Sequence, residues 1–182
     1  MSEGRIQLDF GTLNPIQRQV SEEFRRGKRF VAMITGRQGG KSHYGARWLI
    51  SQIATGKGKN KLSIVAAPTF RYARIAQRKL EEVFKSDLRL WRAIKHTKQP
   101  IPTYELPDGN IIEVHSVDDP DSVRGLTVDF VWFDEAAVAA GDAFDIMIPT
   151  LLASGGSMLL TTTPRGKGNW IYKKIYLKSV PP

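Results

Sequence analysis

The stretch from Arg29 to Ser42 limits what this chain can fold into more than any other. Arg29 to Ile34 (Arg-Phe-Val-Ala-Met-Ile) reads as a short buried strand. Thr35-Gly36-Arg37-Gln38-Gly39-Gly40-Lys41-Ser42 follows, and a helix is expected from Lys41 to Thr55. Strand, glycine turn, Gly-Lys-Ser and helix in that order make a phosphate-binding loop. Glycines let backbone N–H groups curl around phosphate oxygens, and the helix N-terminus adds its own unpaired N–H groups. Lys41 would reach the β- and γ-phosphates of ATP, and Ser42 would coordinate Mg²⁺. The usual pattern has glycine where this chain has Thr35, with Gly36 displaced by one position.

A second chemical feature lies far along the chain. Val128 to Phe133 is a strongly apolar strand that runs into Asp134-Glu135. In a parallel sheet the C-terminal strand ends line the ligand crevice. Asp134 would there hold Mg²⁺, and Glu135 would act as general base on an attacking water. Thr161-Thr162-Thr163-Pro164 ends the next strand, Ser157 to Thr162. Its hydroxyls can sense a γ-phosphate, or serve only the β-propensity of threonine; composition does not separate the two.

The remaining pattern alternates strands and helices. Pro15 opens a short helix, Leu62 to Ala67 is a buried strand, and Phe70 to about Ser86 a helix. Gly56 to Asn60 is a loop. Thr103 to Leu106 and Ile111 to Val117 flank Pro107-Asp108-Gly109-Asn110, a hairpin signal. Ala143 to Ala153 forms a helix whose length Pro149 limits, and a last helix begins near Asn169. Strands apolar throughout predict an α/β fold, a mainly parallel sheet with helices on both faces and an antiparallel hairpin insertion.

Charge bears on partners. Residues 1–100 carry 21 Lys and Arg against 7 Asp and Glu, whereas residues 101–182 carry 6 against 11. So one-sided an excess suits a polyanion such as nucleic acid, or a solubilising surface. Arg71, Arg74, Arg78, Lys79, Lys85, Arg89 and Arg92 form a basic stretch that either tracks DNA phosphates or is a solvated helix face. The absence of cysteine excludes disulfides and thiolate zinc sites. His43, His96 and His115 have no metal-ligand spacing, and no apolar run reaches the ~18 residues of a membrane-spanning helix.

Taken in order, these motifs resemble the N-terminal ATPase domain of the large terminase subunit of tailed bacteriophages. Pro15-Ile16-Gln17 resembles its adenine-recognising glutamine motif, and Gly36-Arg37-Gln38-Gly39-Gly40-Lys41-Ser42 its variant phosphate loop, which often carries an Arg-Gln pair and lacks the first glycine. Trp132-Phe133-Asp134-Glu135-Ala136 resembles its acidic motif, and Thr161-Thr162-Thr163-Pro164-Arg165-Gly166 its coupling motif. The resemblance runs from about Leu13 to the end.

It implies a P-loop NTPase fold of the RecA/ASCE kind, ATP and Mg²⁺ as ligands, and translocation of double-stranded viral DNA into a procapsid. It also implies other copies in a ring, a viral portal and a small terminase subunit as partners, no membrane, and work in the cytoplasm of an infected bacterium. Arg124, in Ser122-Val123-Arg124-Gly125-Leu126-Thr127, is a candidate arginine finger for a neighbouring subunit; Arg37 is the rival, acting within its own subunit. Arg124 can equally be a surface residue in a turn. Residues 1–182 are expected to be a single motor domain cut short near its C-terminal end, without the nuclease domain of such subunits. Two rivals remain: a fragment of a superfamily-two helicase, and a nucleotide-gated DNA-binding module without turnover.

Overall fold

The computed structural model describes residues 11–55, 60–119 and 122–179. The loop expected at 56–60 lies outside the described residues except for Asn60. Helix α1 (Pro15–Arg25) starts as its sequence dictates. Asn14 caps it by accepting from Gln17 N at 3.0 Å, and the Gln17 side chain accepts from Asn14 N at 3.0 Å. The two side chains thus satisfy two otherwise orphaned donors reciprocally, with Pro15 at the position where its missing N–H costs nothing.

The elements that follow are β1 (Phe30–Ile34), α2 (Lys41–Thr55), β2 (Leu62–Ala67), α3 (Phe70–Lys85), α4 (Leu88–Ala93), β3 (Lys95–Thr97), β4 (Thr103–Glu105), β5 (Ile111–Ser116), β6 (Phe130–Asp134), α5 (Gly141–Leu152) and β7 (Ser157–Thr162). They form a seven-stranded sheet in the order β1-β7-β6-β2-β5-β4-β3. The strands from β1 to β5 in that order are mutually parallel; β4 and β3 add antiparallel pairs at one edge. The expected hairpin is β4–β5, but it is no appendage. β5 pairs with β2 in parallel over six residues, so the hairpin extends the main sheet. Helix α4 and strand β3 were not expected. Asp87, which accepts from Arg89 N and Leu90 N, is the capping signal that starts α4.

Alternation along the strands builds two cores. Val65, Trp132 and Leu159 face α1, α2 and α3, where Leu49, Leu80 and Phe84 are buried. Ile64, Val131, Phe133 and Leu160 face the other way, against Met147 and Leu151 of α5 and Ile171 beyond β7. Helices therefore cover both faces, as strands buried on both sides require. Pro149 lies inside α5 without ending it. The final helical segment runs from Trp170 to Ser179, close to the expected start, with Tyr172–Tyr176 in π geometry. One glycine is set by a close approach: a Cβ on Gly45 of α2 would stand 2.1 Å from Trp132 Nε1. Helix α2 can lie this near β6 only without a side chain there.

Candidate nucleotide site

Topology places the site. β7 is inserted between β1, which leads into the glycine loop, and β6, which ends in the acidic pair. Register makes the levels match: Thr161 pairs with Met33 on one side and with Asp134 on the other. The loop, the threonines and the acids therefore share one edge of the sheet, where the parallel strands end.

The loop has the backbone its glycines allow. Gly40 has φ +69° and Gln38 φ +64°. A Cβ on Gly39 would meet Thr35 Oγ1 at 2.7 Å. Gly36 has open space where a Cβ would stand, so its shift from the usual position is no packing requirement. Lys41 begins α2 and is buried, with its Nζ 3.1 Å from Glu135 Oε1. A buried ammonium is tolerated when such a counter-charge is fixed beside it.

Asp134 is almost completely buried. Its Oδ1 accepts from Ser42 Oγ at 3.1 Å and from Thr161 Oγ1 at 2.7 Å. Burial pushes its pKa up, from an ordinary 3.8 to about 6; the two hydroxyl donors oppose that rise, and Glu135 next to it adds to it. Glu135 itself has φ +49° and ψ 38°. A left-handed conformation is uncommon for a residue with a side chain, and such strain collects at functional sites. It turns the chain sharply after the strand, so Asp134 and Glu135 do not follow a strand's alternation.

Reading along the chain did not reveal what steadies these groups. Trp132 Nε1 donates to Thr161 Oγ1 at 2.8 Å, so Thr161 turns its own proton to Asp134. Thr162 Oγ1 accepts from Ala137 N at 3.0 Å, just after Glu135. Asn169 Nδ2 donates to Ala137 O and Trp170 Nε1 to Ala139 O, each at 2.9 Å. The segment after β7 is thereby tied to the segment after β6. Nothing in the spacing of Trp132 or Asn169 signals these bonds. Asn14, by contrast, announces itself through the Asn-x-x-Gln pattern of a capping box.

The other expected site residues are distributed as follows. Gln17 is buried and donates from Nε2 to Gly40 O at 3.4 Å, joining α1 to the loop. Thr163 is half-buried beside a cavity of about 250 Å³. Arg37 is exposed on the loop, and Arg124 is exposed between β5 and β6. A resident cation fits this donor set: Ser42 and Asp134 present hard oxygen atoms, and the buried Asp134 carboxylate has a raised pKa that a bound cation would lower again.

Fold and site together define the class. This is a P-loop ATPase domain of the type with an added strand between the phosphate-loop strand and the acidic strand. The family model described as the N-terminal part of the terminase large subunit, T4likevirus-type, matches residues 32–175. The chain belongs to that family. It is 34% identical over 117 residues to the terminase large subunit of Escherichia phage T5, covering 62% of this chain and 25% of that one. It is 32% identical over 162 residues to that of Thermus phage G20c, covering 80% and 33%. The chain thus spans between a quarter and a third of these relatives. The large terminase ATPase domain of Thermus phage P74-26 superimposes with a TM-score of 0.68 at 25% identity, over 89% of this chain and 68% of that one.

Proposed function

We propose that this domain hydrolyses ATP with Mg²⁺ and that the hydrolysis drives double-stranded viral DNA into a procapsid. The observation that carries the reading is the quartet of Lys41, Ser42, Asp134 and Glu135, assembled across β7, with Lys41 and Asp134 buried. A triphosphate at the loop competes with Glu135 for the Lys41 ammonium. Once Lys41 turns to phosphate oxygens, Glu135 is free to accept a proton from water. That water's oxygen forms a bond to the γ-phosphorus while the bond to the β–γ bridging oxygen breaks, leaving ADP and phosphate. Mg²⁺, held by Ser42 and Asp134, supplies charge neutralisation of the phosphate oxygens. Gly36, Arg37, Gln38, Gly39 and Gly40 present backbone to the phosphates, and Gln17 holds the loop at Gly40 while serving the nucleotide side.

Thr161, Thr162 and Thr163 carry the loss of the γ-phosphate outward, because Thr161 touches Asp134 and Thr162 the segment after Glu135. An arginine finger, Arg124 from a neighbouring copy or Arg37 from the same one, completes the site in a ring seated on a portal. The setting is the cytoplasm of an infected bacterium. Among the described residues no helix is long and apolar enough to cross a membrane.

The test is Mg²⁺-dependent phosphate release from ATP, for the native chain and Glu135→Gln over a range of protein concentrations. The native chain turns over, faster per subunit at high concentration, and Glu135→Gln binds ATP without turnover. ATP binding with no turnover in either protein would leave a nucleotide-gated module instead.

A further inference from the structure

The basic stretch that follows β2 is not one surface. Three-dimensional structure divides it by pairing. Lys79 lies 2.8 Å from Glu82, Lys85 2.8 Å from Glu81, and Lys95 3.0 Å from Glu105. Each of those cations has a carboxylate beside it. Arg71, Arg74 and Arg78 are exposed on α3, and no carboxylate among the described residues lies within ion-pair distance of them or of Lys98. All four line one open groove of about 1040 Å³. Glu81, the acid in that groove, is engaged by Lys85 and by Tyr104 Oη, which donates to it at 2.7 Å. Between the cations lies apolar surface: Phe70, 63% exposed, and Pro100. The Arg74 guanidinium sits 6.0 Å from the centre of the Phe70 ring.

We infer that this groove is where the domain holds the phosphate backbone of duplex DNA. The inference rests on the DNA-translocating reading above and names its surface. Spacing supports a polymer over a small anion. Arg71 to Arg78 rises ~10 Å along α3 at about 1.5 Å per residue. One DNA strand places a phosphate every ~3.4 Å of duplex axis, so this face spans about three of them. A single nucleotide neutralises only part of such a row. The exposed ring and prolines suit the apolar edges of deoxyribose between phosphates. An adjoining hollow shares Phe70, Arg74 and Pro100 with the groove and carries Asp118 and Asp119 on its far side, where the run of cations ends. Helix α3, which carries the arginines, packs against α2, the helix that Lys41 begins, and against β2 and β5.

Binding of a fluorescent 30-base-pair duplex of random sequence is measured by anisotropy between 50 and 200 mM salt. Replacing Arg71, Arg74 and Arg78 by alanine lowers the salt slope by about 3, at ~0.9 per phosphate contact, and weakens binding at least about tenfold. The triple lysine variant keeps the slope, because point charge suffices for phosphate. Lys79→Ala with Lys85→Ala leaves it unchanged. Melting temperature and ATP turnover without DNA are equal in all these proteins. A slope unaltered by the alanine triple, or no duplex binding by the native chain at 50 mM salt, would overturn the inference. Turnover in the native chain and in Glu135→Gln is measured separately, so failure of the ATPase reading shows in a different experiment.

Discussion

Lys41 and the arginines of α3 stand on helices that pack against the same face of the sheet, yet they live in opposite electrostatic conditions. Lys41 is 7% exposed and holds Glu135 at 3.1 Å. Arg71, Arg74 and Arg78 are exposed, with no acidic partner among the described residues. A cation taken out of water needs its counter-charge inside the protein, since an unpaired buried charge costs several kcal/mol. A cation left in water needs none and keeps its charge for a partner. The same residue class therefore builds a site in one place and a surface in the other.

The sharpest way to break this contrast is to remove one charge from each region. Lys41→Ala should lower ATP turnover by at least about a hundredfold, because it deletes the cation aimed at the phosphates. Arg78→Ala should leave turnover without DNA unchanged. Steady-state phosphate release checks both, and equal losses would erase the distinction.

Asp134 sharpens the buried side. Its folded pKa, about 6, lies above the ordinary 3.8, so the folded protein retains a proton that the unfolded chain has released. Stability therefore falls as pH rises from about 4 to about 6, and the cost of the buried carboxylate is complete above that window, on the order of 2–3 kcal/mol. With chelator present, the melting temperature of Asp134→Asn should gain on the native protein between pH 4 and pH 7. A constant difference across that range would mean the carboxylate is not held in this environment.

Thr161→Val keeps the shape and removes the hydroxyl. It leaves Trp132 Nε1 without its acceptor and Asp134 without one donor, a loss of about 1–3 kcal/mol in denaturant unfolding. On the exposed side, Lys79→Ala should change stability by less than about 1 kcal/mol, because it breaks only a solvent-screened helix pair. A larger loss there would show that the α3 surface is more constrained than its exposure implies.

The chain's local chemistry made much of this readable. The run into Asp134-Glu135 ends a strand buried at every position, and the glycine loop opens α2 at Lys41. Pro15 starts α1 where the pattern put it. The short α4 and β3 escaped because six and three residues carry too little periodicity to register. The hairpin's place in the main sheet escaped for another reason: β5 finds its parallel partner β2 across 43 intervening residues, and no local pattern encodes that choice. Gly45 gave no sign of its role, which exists only because Trp132 lies against it.

By itself, the sequence determined which segments are apolar on both faces, where helices begin, and which residues have phosphate, cation and proton chemistry. These depend on spacing and on side-chain type, both local properties. Tertiary structure alone decided that β7 passes between β1 and β6, bringing Thr161 level with Asp134, and that Lys41 meets Glu135 although 93 residues separate them in the chain. It also decided which cations of α3 are paired. Strand order and ion pairing are settled by which buried surfaces and charges fit together once the whole chain is folded, and such long-range choices leave no periodic trace along the chain.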